Sequence, residues 1–305
     1  MNQFHKENTH MDGVLLVNKP PEITSYKVVE KIKRHFGLKK VGHGGTLDPF
    51  ATGLLVILIG KATRISRFFL DDDKSYEGTM VLGQTTDTYD VKGKAISSMS
   101  AEHVSAETIK DTAKNFIGEI SQTPPIFSAI KVNGRKAYEL ARKDQDVQLK
   151  PRNVSVYELS IKDISIGKHP KIRFQTRVSK GTYIRSLAHD IGESLKVGAY
   201  LEELHRTASG LFKVDAAHDL SEILAWDNKK LGRKIINMCD ALDFPSIEIK
   251  DESSVTKVKN GHGLSYSEFE KPIAKSRRVK IISMSGECLA LHRLEDEGTK
   301  AEVVF

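Results

Sequence analysis

Only two cysteines, Cys239 and Cys288, occur in 305 residues, and neither has a CxxC partner. That leaves no basis for a disulfide framework or a zinc site, and reduced thiols in a cytoplasmic protein are the expectation. No apolar run comes near the roughly 20 residues that a membrane helix requires. The polar stretch from Met1 to Asp12 lacks the apolar h-region of a secretory signal. Internal repeats and low-complexity tracts are also missing. What remains is the composition of a soluble globular protein, 39% hydrophobic and 29% charged, long enough for one large domain or a large one plus a small one. The formal charge is +7 at pH 7. Such a balance suits a polyanionic partner without identifying one.

One stretch stands apart. Val41-Gly42-His43-Gly44-Gly45-Thr46-Leu47-Asp48-Pro49-Phe50-Ala51-Thr52-Gly53 packs four glycines, a histidine and a carboxylate into a loop. It runs straight into Leu54-Leu55-Val56-Ile57-Leu58-Ile59, whose lack of polar alternation reads as a strand buried on both faces. A contorted polar loop anchored on a rigid buried strand is where a site is expected. The loop is no phosphate cradle, because it lacks the GxxxxGK[ST] order, and Gly42-His43-Gly44 does not continue as a dinucleotide fingerprint. Taken alone, Asp48 is open to two readings, a turn or helix cap and a catalytic carboxylate. His43 is open to three: a satisfied structural histidine, a general base, or a ring that stacks on a nucleobase. Nothing nearby supplies the further ligands a metal would need.

Around this loop the pattern predicts a mixture of strands and helices. Val14 to Asn18 reads as a strand closed by Lys19-Pro20-Pro21. Thr24 or Ser25 caps a helix with Val28, Val29, Ile32 and Phe36 on one face and Gly37 as its stop. A basic bend spans Lys61 to Arg67. Asp71 to Lys74 turns into a strand with Tyr76, Gly78, Met80 and Leu82 on one face, and Gln84 to Lys94 reads as a loop. A helix is expected from Ser105 to Ile117, then a strand over Ile126 to Lys131 and a turn at Asn133-Gly134. Further strands are expected near Val154 to Ile166 and Lys171 to Ser179. Gly181 opens a helix striped with Ile184, Leu187, Ala188, Ile191 and Leu195, and Leu220 to Ile236 also reads as helical. Phe244-Pro245 looks like a boundary, beyond which lie a strand, a helix ended by Gly261 and three strand-like pieces. The absence of regular βαβ alternation argues α+β with a largely antiparallel sheet.

Other polar residues stand where elements begin. Arg185 sits at the edge of its helix's apolar stripe, either as a solvated arginine or as a guanidinium held against a carboxylate. Tyr76 has apolar neighbours at period two, as a sheet-face aromatic would. Lys19-Pro20 can be read as a strand terminator, and Asp87 and Asp90 as turn residues.

Together these segments resemble bacterial tRNA pseudouridine-55 synthases of the TruB type. The resemblance is carried by Leu16-Val17-Asn18-Lys19-Pro20 with Thr24-Ser25, and by Gly42 to Pro49 with Ala51 to Leu55. It continues in Leu82 to Thr88, Pro124 to Lys131, Gly181 to Leu187 and Leu204 to Gly210. These motifs cover roughly residues 12 to 212 in the family's order. Glu22 departs from it, standing where the family usually has glycine, and the C-terminal tail is short.

The resemblance implies an α+β pseudouridine synthase fold, with a mixed, largely antiparallel sheet flanked by helices and a small β-rich PUA-like domain. It implies an N-terminal extension over 1–11, a catalytic domain over 12–244 with an RNA-contacting insertion at about 111–150, and the PUA-like part over 245–305. The implied activity is isomerisation of uridine to pseudouridine at position 55 in the T-loop of tRNA. No cofactor and no metal are implied, the partner is the tRNA T-arm, and a cytoplasmic monomer is expected. Asp48 matches the catalytic aspartate, Arg185 its partner, and Tyr76 the aromatic that stacks on the flipped uracil and assists proton removal. His43 matches the ring that fills the gap left in the RNA. Lys19 and Pro20 would support the pocket and Leu204 would wall it, and Asp87 and Asp90 join them as residues on the RNA side. The clusters Lys31, Lys33, Arg34, Lys39 and Lys40, with Arg142-Lys143 and Arg277-Arg278, would follow phosphates. Two alternatives remain open: an RNA-binding or tRNA-folding chaperone, and a pseudouridine synthase acting on another RNA.

Overall fold

Every residue from Gly53 to Ile59 is buried, because the strand Thr52–Ile59 lies at the heart of a ten-stranded mixed sheet. The spatial order is His218–Asp219, Gly13–Lys19, Thr52–Ile59, Ala199–Ser209, Lys74–Leu82, Lys171–Val178, Arg152–Ile164 and Gly118–Gln122. Val41–His43 flanks Thr52–Ile59, and Phe212–Lys213 flanks Ala199–Ser209. Two pairings are parallel, Gly13–Lys19 with His218–Asp219 and Thr52–Ile59 with Ala199–Ser209; the others are antiparallel. The computed structural model describes residues 11–128, 130–132, 134–141, 148–269 and 277–305. The N-terminal extension before Met11, Asn133 of the expected turn and the Arg142-Lys143 pair lie outside these residues.

Alternation along each strand divides the apolar side chains between two cores. Leu15, Val17, Leu55, Ile57, Ile59, Met80 and Ile172 face the first, which the helices Ser25–His35 and Ile184–Ser194 cover. Val14, Leu16, Leu54, Val56 and Leu58 face the second, with Ile65, Phe69 and Leu242. Helix Ser25–His35 forms as its sequence dictates: the Thr24 hydroxyl accepts from the Lys27 amide, Val28, Val29 and Ile32 are buried, and Gly37 follows at φ +66°.

Several expectations need correction. The Lys61 to Arg67 bend is a 3-10 turn, Gly60–Ile65, running into helix Ser66–Asp71. Gln84–Thr86 is a short strand paired with Ala95–Ser98. The helix expected to reach Ile117 is Ala106–Lys114; Gly118 at φ +108° redirects the chain and leaves Ile117 on the surface. Ile126 to Ser128 bends instead of forming a strand, since Pro124 and Pro125 lack amide donors and the Phe127 carbonyl turns to Arg185. Among the described residues there, Lys131–Val132 pairs with Arg135–Lys136. The single helix over Leu220 to Ile236 is two, Leu220–Ile223 and Asn228–Lys234, because Asp227 caps the second through the Lys230 amide. The long strand Ala199–Ser209 is central to the sheet and was not expected at all.

Beyond Pro245, Ser246–Ile249, Arg278–Ser283, Cys288–Glu295 and Gly298–Val304 build a four-stranded sheet, with helix Glu252–Lys259 against it. Its Leu291 and Val303 close the second core of the main sheet. The Lys280 ammonium donates to the carbonyls of Cys239 and Leu242. Cys239 and Cys288 are joined as a disulfide, with Cα atoms 5.6 Å apart. This corrects the expectation of free thiols: a separation of 49 residues carries no pairing signal, whereas docking of the second sheet brings the two together. Among the described residues no helix is long and apolar enough to cross a membrane.

Candidate active site

The glycine loop is held from three sides. From below, the buried guanidinium of Arg206 donates from Nε to the Leu54 carbonyl at 2.7 Å and from Nη2 to the Gly45 carbonyl at 3.1 Å, with Nη1 3.4 Å from the Thr46 carbonyl. From one flank, the Ser25 hydroxyl brackets the backbone of Leu47. From the other, Lys19, fully buried, donates through Nζ to the carbonyls of Pro20, Ile23 and Pro49. Burial pulls the Lys19 pKa down to about 8, and the nearby Asp48 carboxylate opposes that fall. Gly53, at φ +96°, is required here, because a Cβ would collide with the Arg206 backbone of the parallel neighbour.

Asp48 emerges from this frame with a third of its side chain exposed, while its partner Arg185 is 4% exposed. Arg185 grips the carboxylate with two bonds, Nε to Oδ2 at 2.9 Å and Nη2 to Oδ1 at 3.2 Å. Its remaining donors reach the carbonyls of Thr88 and Phe127, both at 3.0 Å, and Nη1 lies 3.5 Å from the buried Asp90 carboxylate. One guanidinium therefore faces two acids in unlike surroundings. Asp90 has its pKa raised, first by burial, while Thr88, Arg185 and the Lys92 amide pull it back. The helix carrying Arg185 is fastened at its start: the Gln122 side chain donates to the Tyr183 carbonyl and accepts from the Tyr183 amide.

The remaining candidates surround this pair at different depths. His43 Nδ1 accepts from the Gly45 amide at 3.3 Å, which assigns the neutral ring's proton to Nε2; burial and Arg206 hold its pKa below the ordinary value. Tyr76 pairs in register with Arg206 and packs, half-buried, against the core that holds Leu47, Phe50 and Leu204. Leu204 lines a 390 Å³ concavity, and Lys19 and Pro20 line an adjoining one of 900 Å³; the two share Pro21, Glu22, Thr52 and His205, and Asp48 lines neither. Asp87 stands apart, its carboxylate accepting from the Lys94 amide within its own turn. Glu22, in the family's glycine position, adopts φ +62° and pairs with Lys92 at 2.7 Å. Among the described residues, no group of three or more His, Cys, Asp or Glu side chains is arranged to hold a metal.

Sequence reasoning missed Arg206 as the loop's main clamp, although the Leu204 to Gly210 motif contained it. It also missed the buried Lys74, whose Nζ donates to the carbonyls of Phe69, Leu70 and Asp72. A cation on an apolar strand face was the available signal for both.

Comparison with solved structures defines the class. This chain aligns with a TM-score of 0.73 and 28% identity to a chain of the structure described as an H/ACA RNP bound to a substrate RNA containing 2'-deoxyuridine, covering 96% of this chain and 84% of that one. A Cbf5-Nop10-Gar1 complex gives 0.73 and 30% identity over 95% of this chain and 83% of that one. The architecture is the α+β pseudouridine synthase fold. Residues 33–184 match the TruB family pseudouridylate synthase (N terminal domain), and residues 185–243 match the tRNA pseudouridylate synthase B C-terminal domain. The tRNA pseudouridine synthase B of Aquifex aeolicus (strain VF5) is 46% identical over 218 residues, 72% of this chain and 75% of that protein. The one from Solibacter usitatus (strain Ellin6076) is 40% identical over 284 residues, 92% of this chain and 95% of that protein. The chain belongs to the TruB family of pseudouridylate synthases, and so to the isomerases.

Proposed function

We propose that the protein converts uridine to pseudouridine at position 55 in the T-loop of tRNA, working as a monomer in the cytoplasm on the T-arm. The observation that carries this reading is the Asp48 carboxylate, partly open to solvent and held in a fixed direction by two bonds from a buried arginine. A free carboxylate would be solvated and would sample many rotamers; this one is already aimed when it meets an extruded nucleoside.

The reaction requires the C1'–N1 bond to break, the uracil to turn, a C1'–C5 bond to form, the C5 proton to leave and N1 to take up a proton. In this reading Asp48 serves as nucleophile or electrostatic partner to the sugar or base. Tyr76 stacks on the flipped uracil and assists removal of the C5 proton. His43, neutral and ring-shaped at the loop's edge, fills the stack that the nucleotide vacates. Lys19 and Pro20 shape the pocket and Leu204 walls it. For Asp90 we favour a hold on Arg185 over direct RNA contact, and for Asp87 a place in the turn. Residues 12–244 are read as the catalytic part, with the segment at about 111–150 closing on RNA, and 245–305 as a PUA-like part.

Incubation of the pure protein with an unmodified tRNA transcript, followed by pseudouridine mapping, tests the reading. Modification confined to the T-loop uridine is expected, with tritium released from 5-tritiated uridine. Asp48→Asn should abolish release while leaving tRNA binding largely intact. Tight binding with no release by the unaltered protein would replace the enzyme with an RNA-folding module, and modification elsewhere would replace the substrate.

A further inference from the structure

Tyr89 occupies the middle of the Thr88-Tyr89-Asp90 turn at φ +61°, in the left-handed region that favours glycine. Both flanking residues touch Arg185, Thr88 through its carbonyl and Asp90 through its carboxylate. Backbone bonds hold the turn, with the Tyr89 amide donating to the Thr86 carbonyl and the Leu201 amide donating to the Tyr89 carbonyl. A glycine would satisfy these bonds without strain, so the tyrosine side chain must have its own use. Its ring lies flat on the imidazole of His189, with centroids 3.8 Å apart and planes 7° from parallel.

His189 follows Arg185 by four positions on helix Ile184–Ser194, one turn further along the same face. Its Nδ1 is buried with no hydrogen-bond partner among the described residues. Nothing in these contacts uses the ring as an acid or base at Nδ1; what it offers Tyr89 is a flat surface. The stack thus ties the turn that receives the guanidinium to the helix that delivers it.

We propose that Tyr89 and His189 are positioning residues, whose stacked rings fix the spacing between the Thr88–Asp90 turn and the arginine helix and so set the direction in which Arg185 holds Asp48. This rests on the reading of Asp48 as the reacting carboxylate.

Four variants of the full chain test it, with tritium release measured at varied tRNA concentration and Asp48→Asn as reference. Tyr89→Gly keeps the backbone conformation and removes the stack, and His189→Ala removes the other ring. Both should lower kcat by about tenfold or more with KM little changed, since a displaced guanidinium impairs chemistry and not RNA capture. Tyr89→Phe and His189→Phe keep the stacked planes and should restore kcat. Should one truncation fail to fold, the other decides. Unaltered kcat in a folded truncation overturns the proposal, as does a rise in KM alone, or a Phe variant as impaired as its truncation. Turnover by Asp48→Asn would instead overturn the functional reading, a separate result.

Discussion

Ser25 and Leu47 bind each other twice: the Ser25 hydroxyl donates to the Leu47 carbonyl at 3.1 Å and accepts from the Leu47 amide at 2.9 Å. One small side chain thereby satisfies both backbone groups of the residue preceding Asp48. Ser25→Ala leaves that buried amide and carbonyl unpaired and should cost about 2 kcal/mol of stability. A fall in kcat should accompany it, read from urea unfolding and tritium release on the same preparation.

Arg185→Lys retains the charge and loses the fork. A lysine offers one point of attachment where two bonds to Asp48 and contacts to Thr88, Phe127 and Asp90 now converge. Turnover should drop by about a hundredfold. Turnover near that of the unaltered protein would show that charge alone suffices.

Gly53→Ala places a Cβ against the Arg206 backbone at φ +96°. The parallel pairing of Thr52 and Gly53 with His205 and Arg206 must yield. A loss of about 3 kcal/mol is expected, measured as a shift in the urea midpoint.

Lys19 gives a pH signature with a definite sign. Its folded pKa is about 8 against an ordinary 10.5. Between those values the unfolded chain keeps a proton that the folded chain has released, so this group favours folding increasingly as pH rises through the window. The stability difference between the unaltered protein and Lys19→Met should therefore move toward the unaltered protein from pH 8 to pH 10. A difference moving the other way would mean that the ammonium's three carbonyl partners outweigh its burial.

The RNA-binding reading predicts steep salt dependence, with log affinity losing a slope of roughly 0.7 to 0.9 per phosphate neutralised. Removing the exposed Lys31 and Lys33 should flatten that slope. Arg278 should contribute less, because its guanidinium already donates to both carboxylate oxygens of Glu302.

Legibility of the chain tracks how local each signal is. Helix Ser25–His35 could be read because its cap, stripe and stop all lie within its own span. Thr52–Ile59 could be read because burial on both faces leaves an unbroken apolar run. Strand Ala199–Ser209 could not: irregularities between Leu201 and Glu203 and between Arg206 and Ala208 break the alternation that marks a strand. The contact between Asp48 and Arg185 was legible through ordered motifs, whereas the clamp by Arg206 depends on contacts about 160 residues apart. The disulfide was illegible for the same reason.

That distance along the chain has a consequence for biosynthesis. A nascent polypeptide that has emerged only through its first two hundred residues carries the acidic loop but not the arginine beneath it. The frame of that loop is therefore completed late in translation, after the strand around residue 206 has left the ribosome.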